Sequence, residues 1–149
     1  MKKYVFISLL ALVAMVFTGC YTNDPLHKKT VDLVVKSRDW RWDSSGQRFF
    51  CEFEVPELTS KVYNYGEVSL NREYNSGKEN MYQVSLPETT FMTEEVDDGN
   101  GSTSIVYYTQ LVDYIYGPEF VAVYYTVNDY YYSDDFLPEA MVFRLQMTY

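Results

Sequence analysis

The chain has 149 residues, enough for one domain with short extensions, and its 12 Lys and Arg against 21 Asp and Glu give a formal charge of −9. This net negative charge argues against nucleic-acid binding, which needs a basic face. A hydrophobic content of 47% with 18% aromatic residues argues against disorder, and one His with two Cys leaves few ways to build a metal site or an activated nucleophile. We therefore expect a folded protein that is not an enzyme and has no cofactor.

The N-terminus has the pattern of an export signal. Lys2 and Lys3 precede an apolar run over residues 4–17 in which Ser8 is the only clearly polar residue. The 14 residues of this run are too few for a comfortable transmembrane helix and are typical of a signal-peptide core. The sequence therefore predicts export from the cytoplasm.

A lipid anchor is predicted at Cys20. The apolar run ends in Phe17-Thr18-Gly19-Cys20, which resembles a bacterial lipobox, where small residues precede a Cys. The resemblance implies that residues 1–19 are a cleaved signal peptide and that the Cys20 thiol carries diacylglycerol. Residues 20–29 show no hydrophobic period, and we interpret them as the lipidated Cys and a tether. Two or more acyl chains hold a protein stably on a membrane that it does not span.

From residue 30 onward the hydrophobic period is two, which is typical of β-strands. The predicted strands cover residues 31–36, 49–55, 67–74, 82–86, 90–96, 105–116, 119–127 and 141–149. Segment 56–66 breaks the pattern, because Leu58 and Val62 lie four residues apart and Gly66 can end a helical turn. We expect a short helix or 3₁₀ segment there.

Seven or eight strands at this spacing predict that residues 30–149 form an antiparallel β-sandwich, immunoglobulin-like in layout. A closed barrel is the alternative. Cys51 lies on the same face of its strand as Phe49, Phe53 and Val55, which predicts that it is a small buried hydrophobic residue rather than a reactive thiol. Trp40 is predicted to fill the space between the sheets, and Trp42, nearer a turn, to be partly exposed.

The polar residues form no recognisable catalytic or metal-binding pattern. Asp98-Gly99-Asn100-Gly101-Ser102 places oxygen ligands two residues apart, as at the start of a calcium loop. Thr103 and Thr109 then stand where such a loop needs Gly and a bidentate Glu, so a polar hairpin loop without metal is predicted. The acidic residues form no recognisable pair of the kind that glycosidases use. His27, the only His, lies in the predicted tether and so offers no partner to a nucleophile in the folded domain.

Tyrosine is the most unusual residue in the composition, with 16 copies in the chain. A tyrosine offers a flat apolar face with a hydrogen-bonding tip, and nearby acids accept hydrogen bonds from sugar hydroxyls, a mixture that suits glycan or protein contact. The alternative is that tyrosine serves only as a good strand former. The predicted ligand contacts are Trp42, Tyr124, Tyr130, Tyr131 and Tyr132.

With lipobox, tether and strands taken together, the chain resembles the small lipoproteins of unknown function in gut Bacteroidetes. The resembling parts are residues 2–20, the strand at Trp40, residues 50–59 and the ending Phe143-Arg144-Leu145. The resemblance implies lipid anchoring to the outer membrane and supplies no catalytic residue. Whether the protein faces the periplasm or the medium stays open, because only one acid, Asp24, closely follows Cys20.

Two functional hypotheses follow from these patterns. The first is a membrane-anchored, non-catalytic binding or accessory module for a glycan or an envelope protein. The second is a structural or assembly component of the outer-membrane envelope. Exposed aromatic residues near loops favour the first hypothesis, and a long unpaired edge strand favours the second.

Replacing the predicted lipid acceptor tests the anchor. The variant Cys20→Ser should still be exported but should appear in the soluble fraction, because it lacks the acyl chains that hold the protein on a membrane. The measurement is fractionation of cells into membrane and soluble material, followed by immunodetection. A variant that sediments with membranes as the parent does would contradict the lipid anchor.

Overall fold

A computed structural model describes residues 26–97, 99–128 and 137–149. The predicted signal peptide, the predicted lipid acceptor Cys20, Asp98 and the tyrosines Tyr130, Tyr131 and Tyr132 lie outside the described residues. The described strands are β1 (Lys28–Val35), β2 (Arg41–Asp43), β3 (Arg48–Glu54), β4 (Glu67–Tyr74), β5 (Tyr82–Ser85), β6 (Glu88–Asp97), β7 (Thr103–Gly117), β8 (Phe120–Asn128) and β9 (Met141–Thr148). A 3₁₀ turn (Ser37–Asp39) and one short helix, α1 (Ser60–Tyr65), complete the elements.

The strands form two packed sheets, one in the order β1-β9-β4-β5 and the other in the order β2-β3-β8-β7-β6. Every strand pair is antiparallel, so the predicted all-β sandwich is confirmed. The described residues contain nine strands rather than seven or eight, because the chain around Trp42 forms the separate three-residue strand β2.

The strand order is not that of an immunoglobulin constant domain. In that fold the first strand pairs with the second, whereas here the first strand pairs with the last, with Val31 opposite Leu145. The immunoglobulin-like expectation thus holds for the two-sheet architecture and not for the connectivity. This pairing also moves the start of the domain, because Lys28 and Lys29 belong to β1 rather than to the tether.

Alternation along each strand builds the core between the sheets. On β3 the side chains of Phe49 and Cys51 are buried, and on β8 those of Val121, Val123 and Tyr125 are buried, each separated by an outward-pointing residue. This is the period of two that a half-buried strand requires. The predicted burial of Cys51 is therefore confirmed.

The two tryptophans occupy different environments. Trp40 is buried, and its indole Nε1 donates a hydrogen bond of 3.1 Å to the backbone oxygen of Glu139. Trp42 packs against Phe49 with ring centroids 4.8 Å apart and keeps 36% of its surface exposed. These positions match the predicted core and rim roles, since a buried indole N–H needs an acceptor.

The predicted helical segment is present as α1. Thr59 caps its start, accepting a hydrogen bond of 3.3 Å from the Val62 N–H, and the Gly66 N–H donates to the Val62 oxygen at 2.8 Å to close the last turn. Val62 of this helix and Leu58, just before it, are both buried. The chain before the helix is fixed by a hydrogen bond of 2.8 Å from the Glu119 N–H to the Leu58 oxygen.

A cluster of polar side chains joins the two sheets at one place in the interior. Arg72 of β4 has only 9% of its side chain exposed and forms ion pairs with Glu88 of β6 at 3.6 Å and with Glu139 at 2.8 Å. Tyr74 donates a hydrogen bond of 2.6 Å to Glu88 and lies under the Arg72 guanidinium, 4.4 Å from its carbon to the ring centre. A buried charge needs partners of this kind, because water no longer solvates it.

The burial of Cys51 predicts slow chemical labelling. Burial raises the pKa of its thiol, so less of the reactive thiolate is present at a given pH, and the sheets block access to the sulfur. In the Cys20→Ser variant, a maleimide should label Cys51 slowly under native conditions and rapidly in denaturant. Equal rates in the two conditions would show that the thiol is accessible in the folded protein.

The charge cluster predicts an asymmetric mutational response. Arg72→Met should lower the free energy of unfolding by about 3 kcal/mol, because it leaves the Glu88 carboxylate buried without its counter-charge. Arg72→Met combined with Glu88→Gln should recover most of this loss. Glu139→Gln is the control and should cost under about 1 kcal/mol, since 74% of the Glu139 side chain is exposed. Urea denaturation measures all four proteins, and equal losses for the single and double variants would refute the pairing argument.

Candidate functional site

The candidate site lies on the outer face of the five-stranded sheet, where β2, β3 and β8 run side by side. Phe50 and Tyr124 point away from the core because their neighbours along each strand point into it. The register places Arg41 opposite Phe50 and Phe50 opposite Tyr124, so three strands each contribute one side chain to a single row. Glu52 follows Phe50 on the same face.

A shallow pocket of about 290 Å³ opens beside this row. Its lining residues are Trp42, Asp43, Ser44, Arg48, Phe50, Glu52 and Tyr124. Its lining includes Trp42 and Tyr124, two of the five predicted contact residues, which are 82 positions apart in the chain. The Trp42 ring, however, lies with Phe49 on the inner face of the sheet, because Trp42 is opposite Phe49, whereas Tyr124 is on the outer face. The other three, Tyr130, Tyr131 and Tyr132, lie outside the described residues, and their role stays a prediction.

Guanidinium groups lie over the aromatic rings of this face. The Arg48 guanidinium carbon is 3.8 Å from the centre of the Tyr124 ring, and that of Arg41 is 4.5 Å from the centre of the Phe50 ring. A cation in this position is attracted by the negative face of the ring. The aromatic residues therefore present a layer of hydrogen-bond donors toward solvent rather than bare rings.

Carboxylates complete the layer. Arg41 Nη2 contacts Glu52 Oε2 at 2.7 Å, and Arg48 Nε lies 3.6 Å from Asp43 Oδ2. The Arg48 Nε atom is buried and finds no hydrogen-bond acceptor within the described part of the chain, because 3.6 Å is too long for a hydrogen bond. With Arg41 included, the layer beside the pocket combines two guanidinium groups with two carboxylates, so its charges balance.

The β2–β3 turn holds Asp43 in place. Ser45 donates two hydrogen bonds to Asp43 Oδ1, at 2.6 Å from its hydroxyl and 3.0 Å from its backbone N–H. The Ser45 hydroxyl, with help from the Gly46 backbone, holds the pKa of Asp43 below its usual value, so this carboxyl is an acceptor at ordinary pH. A Cβ atom at Gly46 would lie 2.7 Å from Asp43 Oδ2 and 2.8 Å from Arg48 Nε, so a side chain there would displace these two side chains from their present positions.

The outward-facing side of β8 is only partly open. Phe120 is exposed, Tyr124 is half-buried beneath Arg48, and Ala122 is buried between its cross-strand neighbours Glu52 and Ile115. The sequence reasoning missed Arg41, Arg48 and Phe50 as members of the site. The alternation of side chains along each strand can be seen in the sequence, but the register that places Phe50 opposite Tyr124 cannot.

Neither a metal cluster nor a spanning helix occurs in residues 26–97, 99–128 and 137–149. No group of three or more His, Cys, Asp or Glu in these ranges could hold a metal ion. None of the helices formed by these residues has the length and apolarity needed to cross a bilayer. Where the chain turns between β6 and β7, the Gly99 N–H donates a hydrogen bond of 2.9 Å to Asp97 Oδ1.

Comparison with known proteins supplies no family for this chain. No protein-family model, no curated protein and no solved structure matches it. A β-sandwich hosts many unrelated functions, so the architecture alone assigns none. The functional argument therefore depends on the side chains that the two sheets bring together.

Proposed function

We propose that the protein is a non-catalytic binding module, lipid-anchored to the outer membrane of the bacterial cell envelope, and that the pocket on β2, β3 and β8 receives a glycan. The lipobox-like segment ending at Cys20 supports the anchor. The composition of the pocket supports the ligand class. The orientation toward periplasm or medium is no part of the proposal.

The observation that carries the glycan proposal is the meeting of Phe50 and Tyr124 with paired charges at a pocket of about 290 Å³. Sugar rings have apolar C–H faces and a rim of hydroxyls, each both a donor and an acceptor. The parts of the Phe50 and Tyr124 rings that remain exposed suit the first feature. The carboxylates of Asp43 and Glu52 and the guanidinium of Arg48 suit the second.

The geometry favours weak binding at each site. The pocket is small and open, so it covers roughly one sugar unit and buries little area. Many lipid-anchored copies on one membrane would raise the effective strength through multivalency, provided that the glycan presents repeated units. An envelope or extracellular polysaccharide has this repetition.

A structural or assembly role is the second candidate, and one specific feature favours it. Strand β6 is ten residues long and lies at the edge of the five-stranded sheet. Edge strands of this length pair readily with other chains. The two roles use different parts of the surface and are separable by mutation.

The glycan proposal is tested on the soluble Cys20→Ser protein with an array of bacterial and plant polysaccharides, followed by calorimetry on any ligand found. Phe50→Ala and Tyr124→Ala should each weaken binding about fivefold, which corresponds to about 1 kcal/mol for a lost aromatic contact. Glu52→Gln should weaken it through the lost carboxylate while leaving ring packing intact.

Tyr65→Ala serves as the matched control, because Tyr65 is highly exposed on α1 and lies outside the pocket. It should bind as the parent does. Melting temperatures separate lost contact from lost folding. The proposal fails if no polysaccharide binds, or if the pocket variants bind as tightly as the Tyr65→Ala control.

A further inference from the structure

The hairpin of β6 and β7 extends beyond the strand beside it. Strand β8 pairs with β7 only over residues 109–117, whereas β6 pairs with β7 over residues 103–112. Among the described residues, β6 is therefore the only strand that pairs with residues 103–108 of β7. We call residues 91–97 and 103–109 the arm; it is a two-stranded ribbon that continues the sheet past the end of β8.

One face of the arm is apolar and open to solvent. Phe91 is 84% exposed, Tyr107 69% and Ile105 56%. The register sets Phe91 opposite Thr109 and Thr93 opposite Tyr107, so these side chains lie on one face of the ribbon. A shallow pocket of about 260 Å³ forms around Phe91 and Tyr107. Exposed apolar surface that is grouped in this way marks an interaction site.

The free edge of the arm belongs to β6. This strand is the last in its sheet, and within the described ranges no strand pairs with its other side. Edge strands are commonly protected by Lys, Pro, a bulge or short length. β6 is ten residues long, contains neither Lys nor Pro, and keeps an uninterrupted register with β7 from Glu88 to Asp97. Its backbone is a template for one more strand.

The charge of the hairpin selects the partner. Residues 88–117 contain no Lys, Arg or His, while β6 carries the exposed acids Glu94, Glu95 and Asp97 besides Glu88, whose charge is paired with Arg72. Pairing with β6 of a second copy would bring two acidic strands side by side. An anionic lipid surface would be repelled for the same reason. A basic partner is attracted, so charge complementarity favours it over a second copy of this chain and over an anionic lipid surface.

We propose that the β6 edge of the arm binds an extended, basic segment of another protein by strand addition. Backbone hydrogen bonds to β6 would supply most of the affinity. On the outer face, Phe91 and Thr93 would meet apolar side chains of the segment, and Glu95 and Asp97 would meet Lys or Arg at the next two alternate positions. This surface is separate from the pocket at Trp42, and the proposal stands whether or not that pocket binds a glycan.

The probe is a labelled peptide with the sequence Lys-Thr-Lys-Thr-Val-Thr-Tyr-Thr, added to the soluble Cys20→Ser protein. In an antiparallel arrangement its two Lys lie opposite Asp97 and Glu95, and its Val and Tyr lie opposite Thr93 and Phe91. We expect saturable binding that weakens as salt is raised, together with increased hydrogen-exchange protection of β6 amides. The same peptide with Glu in place of Lys should not bind.

Backbone methylation tests strand addition directly. A strand exposes alternate N–H groups on its two edges, so methylating one alternate set blocks the edge that faces β6 and methylating the other set leaves that edge intact. One methylated peptide should therefore lose binding and the other should retain it. Equal binding of both methylated peptides would exclude strand addition and overturn the proposal.

Variants of the protein test charge and apolar contact separately. Glu94→Gln combined with Glu95→Gln should weaken peptide binding about fivefold at low salt, and the difference should vanish at 1 M salt, where the screening length is about 3 Å. Glu67→Gln with Glu79→Gln changes the net charge equally at other exposed positions and should have little effect. Phe91→Ser should weaken binding, whereas Ile115→Ser, on β7 outside the arm, should not.

Three results would overturn the proposal. One is failure of the peptide to bind at millimolar concentration. Another is binding of the Glu-containing peptide as tightly as the Lys-containing one. The last is concentration-dependent dimerisation of the protein that Phe91→Ser abolishes, measured by sedimentation, because the occupant of the edge would then be a second copy of this chain.

Discussion

The buried charge of Arg72 is the constraint on which the arrangement of the two sheets depends. A guanidinium inside a β-sandwich is stable only where carboxylates and an aromatic face replace the water it has lost. Here Glu88 comes from the other sheet and Glu139 from the segment before β9, while Tyr74 lies beside Arg72 on its own strand. The position of Glu88 fixes the beginning of β6, the strand that continues into the arm.

The two outer faces of the sandwich differ in how many side chains and strand edges remain accessible to a partner. On the four-stranded sheet, Arg144 binds both Asp32, at 2.8 Å, and Glu73, at 3.3 Å, and hydrogen bonds from Arg144 hold the pKa of Asp32 below its usual value. These charges satisfy one another across neighbouring strands. On the five-stranded sheet the aromatic residues and the long edge strand remain accessible. Both proposed contact surfaces consequently lie on that sheet.

Local patterns in the sequence predict the strands well because burial on one face imposes a period of two whatever the neighbouring strand is. Cys51 and Trp40 could be assigned to the core on this basis. The order of the strands could not, since the pairing of β1 with β9 joins segments more than a hundred residues apart and leaves no local signature. The same limit applies to the candidate site. The high tyrosine content of the sequence drew attention to Tyr124, but only the register of β3 and β8 shows that Arg48 and Phe50 lie beside it.

The pairing of the first strand with the last has a mechanical consequence. The His27 N–H donates to the Tyr149 oxygen at 2.9 Å, the Tyr149 N–H donates back at 3.0 Å, and eight further residue pairs follow to Val35 and Met141. A pull on the segment before residue 26, directed along the strand, loads this whole ladder in shear instead of opening its bonds one after another. A domain held at its N-terminus to a moving surface is thereby built to resist extension from that end.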